Sequence, residues 1–193
     1  MRWQRLRRRL RGEGGYSLIE MLVVLVIMGV VMTSLTTVFV TASNSELDMN
    51  NRFRAQQNAR LALNVFRRDV HCGSSVTLGP AGSPSGPLAA ISVTVVLPSG
   101  CRSSGTVTWC TEGSGSRFGL FRGGTISGSS CTGGTRYADY LVQPNVFDYT
   151  APSAGSGLLP KVRIDLPVNV KPSKTVEAYE LQDNVVLRNG VRA

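Results

Sequence analysis

The chain has 193 residues and a formal net charge of +9. Six arginines (Arg2, Arg5, Arg7, Arg8, Arg9 and Arg11) against Glu13 place +5 of that charge before Gly15, so the remainder carries +4 and the basic excess is a leader feature, not a nucleic-acid signature. Without the leader and the apolar stretch that follows it, roughly 150 residues remain, enough for one domain with a core of its own.

From Leu18 to Ala42 the only charged residue is Glu20, and Met21 to Met32 is apolar without a break. As a helix this segment is about 37 Å long, sufficient to cross a bilayer core about 30 Å thick. The arginines lie before it and only Glu46 and Asp48 follow closely. That asymmetry predicts a single-pass chain with a cytoplasmic N-terminus and the bulk outside. An acid inside such a segment is costly, about 2.5–3.5 kcal/mol at the centre, and calls for a partner or a function. A cut after Gly15 would supply one: the new α-amino group of Tyr16 would stand one helical turn from Glu20, or reach Glu20 of a neighbouring copy.

Other readings of the segment explain less. An ordinary signal anchor leaves Glu20 and the glycines before Tyr16 without a reason. A secretory signal cut after Ala42, at Val40-Thr41-Ala42, would have a rather long apolar region. Twin-arginine export lacks its usual flanking residues, and a lipid anchor lacks a cysteine near the end of the run.

No proline or glycine occurs between Val30 and Cys72, so the helix is expected to continue past the polar stretch Ser43–Asp48. Met49, Phe53, Gln56 or Gln57, Ala59, Leu63, Phe66 and Val70 recur at helical spacing, with Arg52, Arg54, Arg60, Asn64, Arg67 and Arg68 on other faces. This predicts an amphipathic continuation over 43–71 with one side packed on a head. Tyr16 to Val70 would form one rod of roughly 80 Å. His71-Cys72-Gly73-Ser74 would end it, with Gly73 in the left-handed position of a C-cap.

Beyond Gly73 the texture turns to Gly, Ser, Thr and Val with alternation, which predicts a mostly β head over 72–193. Ile91, Val93, Val95 and Leu97 alternate before the turn Pro98-Ser99-Gly100. Gly105–Cys110 and Arg117–Arg122 flank Glu112-Gly113-Ser114-Gly115 as a hairpin. Gly123–Gly134 reads as a loop. Tyr137–Tyr149, Val162–Val170 and Val176–Leu187 read as later strands, with Pro167 placing the second at an edge or bulge.

The four cysteines, Cys72, Cys101, Cys110 and Cys131, all fall on the side assigned to the exterior, which suits two disulfides in an oxidising compartment. Three connectivities are open. Cys72 with Cys101 and Cys110 with Cys131 is preferred, because each pair would staple a loop closed by adjacent strands. A zinc site on the four thiolates is the alternative, without a C-x-x-C pair to favour it.

Gly15, Tyr16, Ser17-Leu18-Ile19, Glu20 and the apolar helix together resemble the class III signal of type IV prepilins and type II secretion pseudopilins. The resemblance implies a membrane prepilin peptidase that cuts after Gly15 and N-methylates Tyr16, with Glu20 as the acid used for subunit registration. It implies as partners the peptidase, other pilin or pseudopilin subunits, an inner-membrane assembly platform and the lipid bilayer, no cofactor, and a cell-surface or pilus location after assembly. The implied fold is α+β and pilin-like: a long N-terminal helix, membrane-spanning over 16–42 after removal of leader 1–15, packed on a mostly antiparallel sheet. Many major pilins carry a proline about halfway along this helix; none is present here. Leu120-Phe121-Arg122, Val146-Phe147-Asp148-Tyr149 and Leu187-Arg188-Asn189 are similar to elements of the larger minor pilins and pseudopilins of PilW and GspJ/PulJ type. With the large head and the cysteines, they favour a minor, tip or priming pilus subunit, with a type II secretion pseudopilin as the alternative.

Catalysis would have to run through the one histidine, His71, beside Cys72 at a helix end, where a packing or capping role is the simpler reading. The Gly-Ser runs have neither a P-loop lysine nor a following helix. Asp139, Asp148, Asp165 and Asp183 lack the spacing of a calcium loop. Trp109, Tyr137, Tyr140 and Tyr149 would form a stacking platform for nucleic acid or sugar only if they faced solvent, and core packing is the default. An anchored DNA- or carbohydrate-binding adhesin is therefore the alternative from another class, with nucleic acid not indicated as a partner.

Overall fold

The computed structural model describes residues 15–81, 88–152, 158–173 and 178–190. The leader, except for Gly15, and residues 176–177 of the last expected strand lie outside the described residues. Helix α1 spans Leu18–Cys72 and is followed by β1 (Ser75–Leu78), β2 (Ser92–Leu97), β3 (Gly105–Ser114), β4 (Arg117–Arg122), β5 (Thr125–Ser127), β6 (Ser130–Thr132), β7 (Thr135–Leu141), β8 (Phe147–Thr150), β9 (Lys161–Val168) and β10 (Tyr179–Val186). The chain divides into two compact units, with the boundary inside α1 between Asp48 and Met49.

Among the described residues of the first unit every long apolar side chain is exposed, from Leu18 at 83% to Phe39 at 73% and Val40 at 51%. By length and composition this part of α1 is able to cross a membrane. Six of its hydroxyls are satisfied within the helix. Thr33, Thr36, Thr41 and Ser45 each donate to the carbonyl four residues back, and Ser34 and Thr37 to the carbonyl three back, at 2.8–2.9 Å.

In the second unit α1 buries Ala55, Ala59, Ala62, Leu63, Phe66, Asp69 and Val70, one face of a helix. The buried stripe differs from the expected one at its start: Met49 and Phe53 are 69% and 58% exposed, and alanines take their place. Alanine carries nothing beyond Cβ, so the helix backbone lies close to the sheet where a phenylalanine would hold it away.

The main sheet has the order β1-β2-β3-β4-β7-β9-β10, with β8 also paired to β9, and all pairings are antiparallel. An isolated bridge between Ala90 and Phe147 ties β8 to the chain entering β2. Phe66 is the centre of the core. It meets Trp109 edge-on at 5.6 Å and Phe147 at 5.6 Å, contacts worth about 0.5–1.5 kcal/mol each beyond their buried area.

Several local expectations change. The β3–β4 strands run on to Ser114 paired with Arg117, so the turn is Gly115-Ser116, with Gly115 at φ +65°. Residues 123–134 are not simply a loop: β5 and β6 form a small hairpin of their own around Gly128, also left-handed. The Tyr137–Tyr149 stretch breaks into β7 and β8, and Pro144 lies in the break. Pro167 stands in an interior strand, paired with β10 on one side. The N–H of Val142 donates to its carbonyl, so its main-chain groups face the gap between β7 and β8, where no ladder donor is required. Gly73 is not left-handed. It is glycine because a Cβ there would lie 2.5 Å from Val95 Cγ1, while its N–H takes the carbonyls of Asp69 and Val70.

Candidate functional site

Gly15, Tyr16 and Ser17 precede the helix without regular structure, and Tyr16 is 77% exposed. The Ser17 carbonyl accepts the N–H groups of Glu20 at 2.9 Å and Met21 at 3.1 Å, so Ser17 sits at the cap and Glu20 in the first turn of α1. A carboxylate there faces the positive end of the helix dipole. Tyr16 lies just before the helix in the uncut chain, and the juxtaposition expected of its amine with Glu20 belongs to the chain cut after Gly15. The Gly15–Tyr16 bond is thus an exposed peptide just before the helix. Cleavage there would leave every helical hydrogen bond of α1 in place.

The cysteines are joined as Cys72–Cys101 and Cys110–Cys131, with Cα–Cα distances of 5.9 and 6.0 Å. The first ties the last residue of α1 to the β2–β3 connection. The second ties β3 to the small β5–β6 hairpin. With all four cysteines in disulfides, no thiolate is left for zinc. Gly124 lies against the second bridge: a Cβ there would be 2.5 Å from Cys110 Sγ and 2.8 Å from Cys131 Sγ.

Asp69 is the residue that sequence reasoning missed. It is 4% exposed on the buried face of α1. It accepts Trp109 Nε1–H at 3.0 Å and Arg122 Nε–H at 2.7 Å, with a longer contact from Arg122 Nη2 at 3.4 Å. Trp109 and Arg122 are cross-strand partners on β3 and β4, so one carboxylate clamps the helix to two strands at once. The hydrogen bond to Asp69 raises the Arg122 guanidinium above its ordinary value despite its partial burial. The available signal was position alone: Asp69 lies three residues after Phe66 and one before Val70, on the apolar stripe.

A second braced arrangement surrounds Tyr140, the non-glycine residue with positive φ (+64°) among those described. Asp139 receives Arg117 at 2.8 Å and Arg136 at 3.3 Å and accepts the N–H of Tyr140, while the Arg117 guanidinium lies 4.1 Å from the Tyr140 ring centre. Burial pushes the Asp139 carboxyl up, but the Arg117 hydrogen bond, the Tyr140 N–H and the arginine charges together hold it below the usual range.

Of the aromatics considered for stacking, Trp109 is fully buried, Tyr137 packs on it at 5.3 Å, and Tyr140 is covered on one side by Arg117. His71 is half-buried, with Nδ1 2.9 Å from the Val186 carbonyl. Because a carbonyl only accepts, Nδ1 carries the proton and the ring holds β10 to the helix end. Asp183 pairs with Arg67 at 2.5 Å, and Asp165 accepts Gln182 at 3.2 Å. Among the described residues no group of three His, Cys, Asp or Glu side chains is placed to hold a metal.

Residues 10–36 match the family described as the prokaryotic N-terminal methylation motif. No curated protein and no solved structure matches. Together with the apolar helix and the antiparallel sheet beneath its second part, the motif supports a type IV pilin or pseudopilin, and so a structural subunit rather than an enzyme.

Proposed function

We propose that the chain is a minor, tip or priming subunit of a type IV pilus. In this reading a prepilin peptidase cuts after Gly15 on the cytoplasmic side and methylates the Tyr16 amine, and the mature subunit waits in the inner membrane with its head outside. An assembly platform then extracts it into a filament through the apolar part of α1. A minor pseudopilin of type II secretion is the nearest alternative.

The observation that carries the reading is the coincidence of the methylation motif with an uncovered apolar helix whose first turn holds the lone acid Glu20. That surface has no partner among the described residues, and neighbouring helices or lipid would bury it. Glu20 then has two successive roles. In the membrane it neutralises a cationic N-terminus, its own or that of a neighbour. In the filament it selects the axial position at which an adjacent amine meets it, because a one-turn slip would leave both charges unpaired in an apolar core. The head is stapled by two bridges of about 2–4 kcal/mol each, which suits a subunit exposed outside the cell.

Mass spectrometry of the N-terminus of protein purified from its own membranes tests this. A chain beginning at N-methyl-Tyr16 is expected. A start at Met1 would make the helix a plain tether, and a start at Ser43 would make the protein secreted; either overturns the reading.

A further inference from the structure

A cavity of about 280 Å³ opens beside the first disulfide, lined among others by Arg68, Asp69, Leu97, Arg102 and Arg122. Its charges do not balance. Asp69 is already taken by Arg122 and Trp109, and Arg122 also reaches Ser103 Oγ at 3.4 Å. Arg68 and Arg102 have no acidic partner among the described residues, so two arginines border one concavity without an acidic side chain paired to them.

The covalent structure brings them there. Arg68 precedes Cys72 by four residues on α1, hence on the same face of the helix, and Arg102 directly follows Cys101. The Cys72–Cys101 bridge therefore draws together two segments whose like charges would otherwise separate. Guanidinium groups are weakly hydrated, planar and suited to bidentate pairing with an oxyanion.

We propose that this cavity is a docking site for an acidic peptide segment of another protein, with a glutamate or aspartate carboxylate held between Arg68 and Arg102. Two features favour a peptide over an isolated phosphate or a nucleic acid. The cavity is many times the space one water needs, and Leu97 and the disulfide give it an apolar wall for the stem of a side chain. No aromatic side chain lines it, so nothing there would stack on a base. The site lies wholly within the second unit and does not depend on the filament reading.

The test uses the full chain in detergent micelles and a fluorescein-labelled decapeptide carrying two adjacent glutamates in a Gly/Ser background, followed by anisotropy. Saturable binding is expected, at least tenfold weaker for the glutamine counterpart and weakened by added salt. The double variant Arg68→Gln/Arg102→Gln should lose at least tenfold in affinity while keeping the near-ultraviolet dichroism of Trp109. Arg136→Gln, which removes a charge elsewhere, should bind as wild type. Equal binding of the glutamine peptide, an unaffected double variant, or an equal loss in Arg136→Gln would overturn the proposal. Displacement of the peptide by equimolar inorganic phosphate or by a short single-stranded oligonucleotide would overturn it in favour of a phosphate ligand.

Discussion

Replacing Asp69 by alanine is the sharpest test of how the helix is held to the sheet. The change strands Trp109 Nε1–H, whose ring is fully buried, without an acceptor, at about 1–3 kcal/mol. It also removes the charged partner of Arg122, whose side chain is 25% exposed against 5% for Asp69. Breaking a buried ion pair costs about 3–5 kcal/mol, and because Arg122 is able to turn toward water the lower end applies. The two together give an expected loss of about 4–6 kcal/mol, or roughly 8–24 °C in Tm for a domain of this size. Asp69→Asn keeps an acceptor for Trp109 and should lose only about 1–2 kcal/mol, the charged part of the interaction. Thermal unfolding followed by near-ultraviolet dichroism, with disulfides intact, reads both. Phe66→Ala, expected to lose about 3–5 kcal/mol, shows that the assay senses the helix–sheet core. If Asp69→Ala lies within about 1 kcal/mol of wild type while Phe66→Ala does not, the clamp is ornamental and the reasoning fails.

Other predictions come from separate parts of the molecule. Burial and the neighbouring Glu180 push the Asp165 carboxyl up to about 6, with Arg163 and Gln182 opposing. A raised carboxyl favours folding fully below its unfolded value of 3.8 and loses that contribution as pH rises through about 6. Asp165→Asn should thus be close to neutral near pH 4 and stabilising by about 1–2 kcal/mol at pH 8, after discounting for solvent screening; a variant less stable than wild type at pH 8 would contradict this. Gly124→Ala, which drives a methyl group into both sulfurs of the second bridge, should lose about 1–3 kcal/mol and raise the free-thiol content measured by alkylation. In cells, Glu20→Val should leave membrane insertion unchanged and sharply reduce incorporation into sheared filaments; normal incorporation would remove the role given to Glu20.

How much of this was legible follows from the range of each interaction. The apolar run, the acid at its start and the helical spacing from Ala59 to Val70 are local patterns, and so are the alternations of β2, β3 and β4. What escaped is either too short or too distant. Strand β1 has only the four residues Ser75–Leu78, too few to show alternation, and the β5–β6 hairpin is made of the small residues that ordinarily mark loops. Ala55 and Ala62 carry little hydrophobic signal, so the larger Met49 and Phe53 stood in for them. Asp69 looks like a solvated charge on an arginine-rich helix until its partners, 40 and 53 residues away in sequence, are brought to it by the β3–β4 register. Pro167 reads as an edge residue unless it is known that the neighbouring ladder is interrupted opposite it.

The hydroxyls of Thr33, Ser34, Thr36, Thr37, Thr41 and Ser45 have a consequence for how a subunit of this kind would be moved. Each is already bonded to a carbonyl of its own turn, so none requires water, lipid headgroups or a neighbouring chain to satisfy it. At these six positions a helix surface that looks polar by composition is therefore dry in its bonding. For these six side chains the transfer from one apolar medium to another breaks no hydrogen bond on leaving and requires none on arrival.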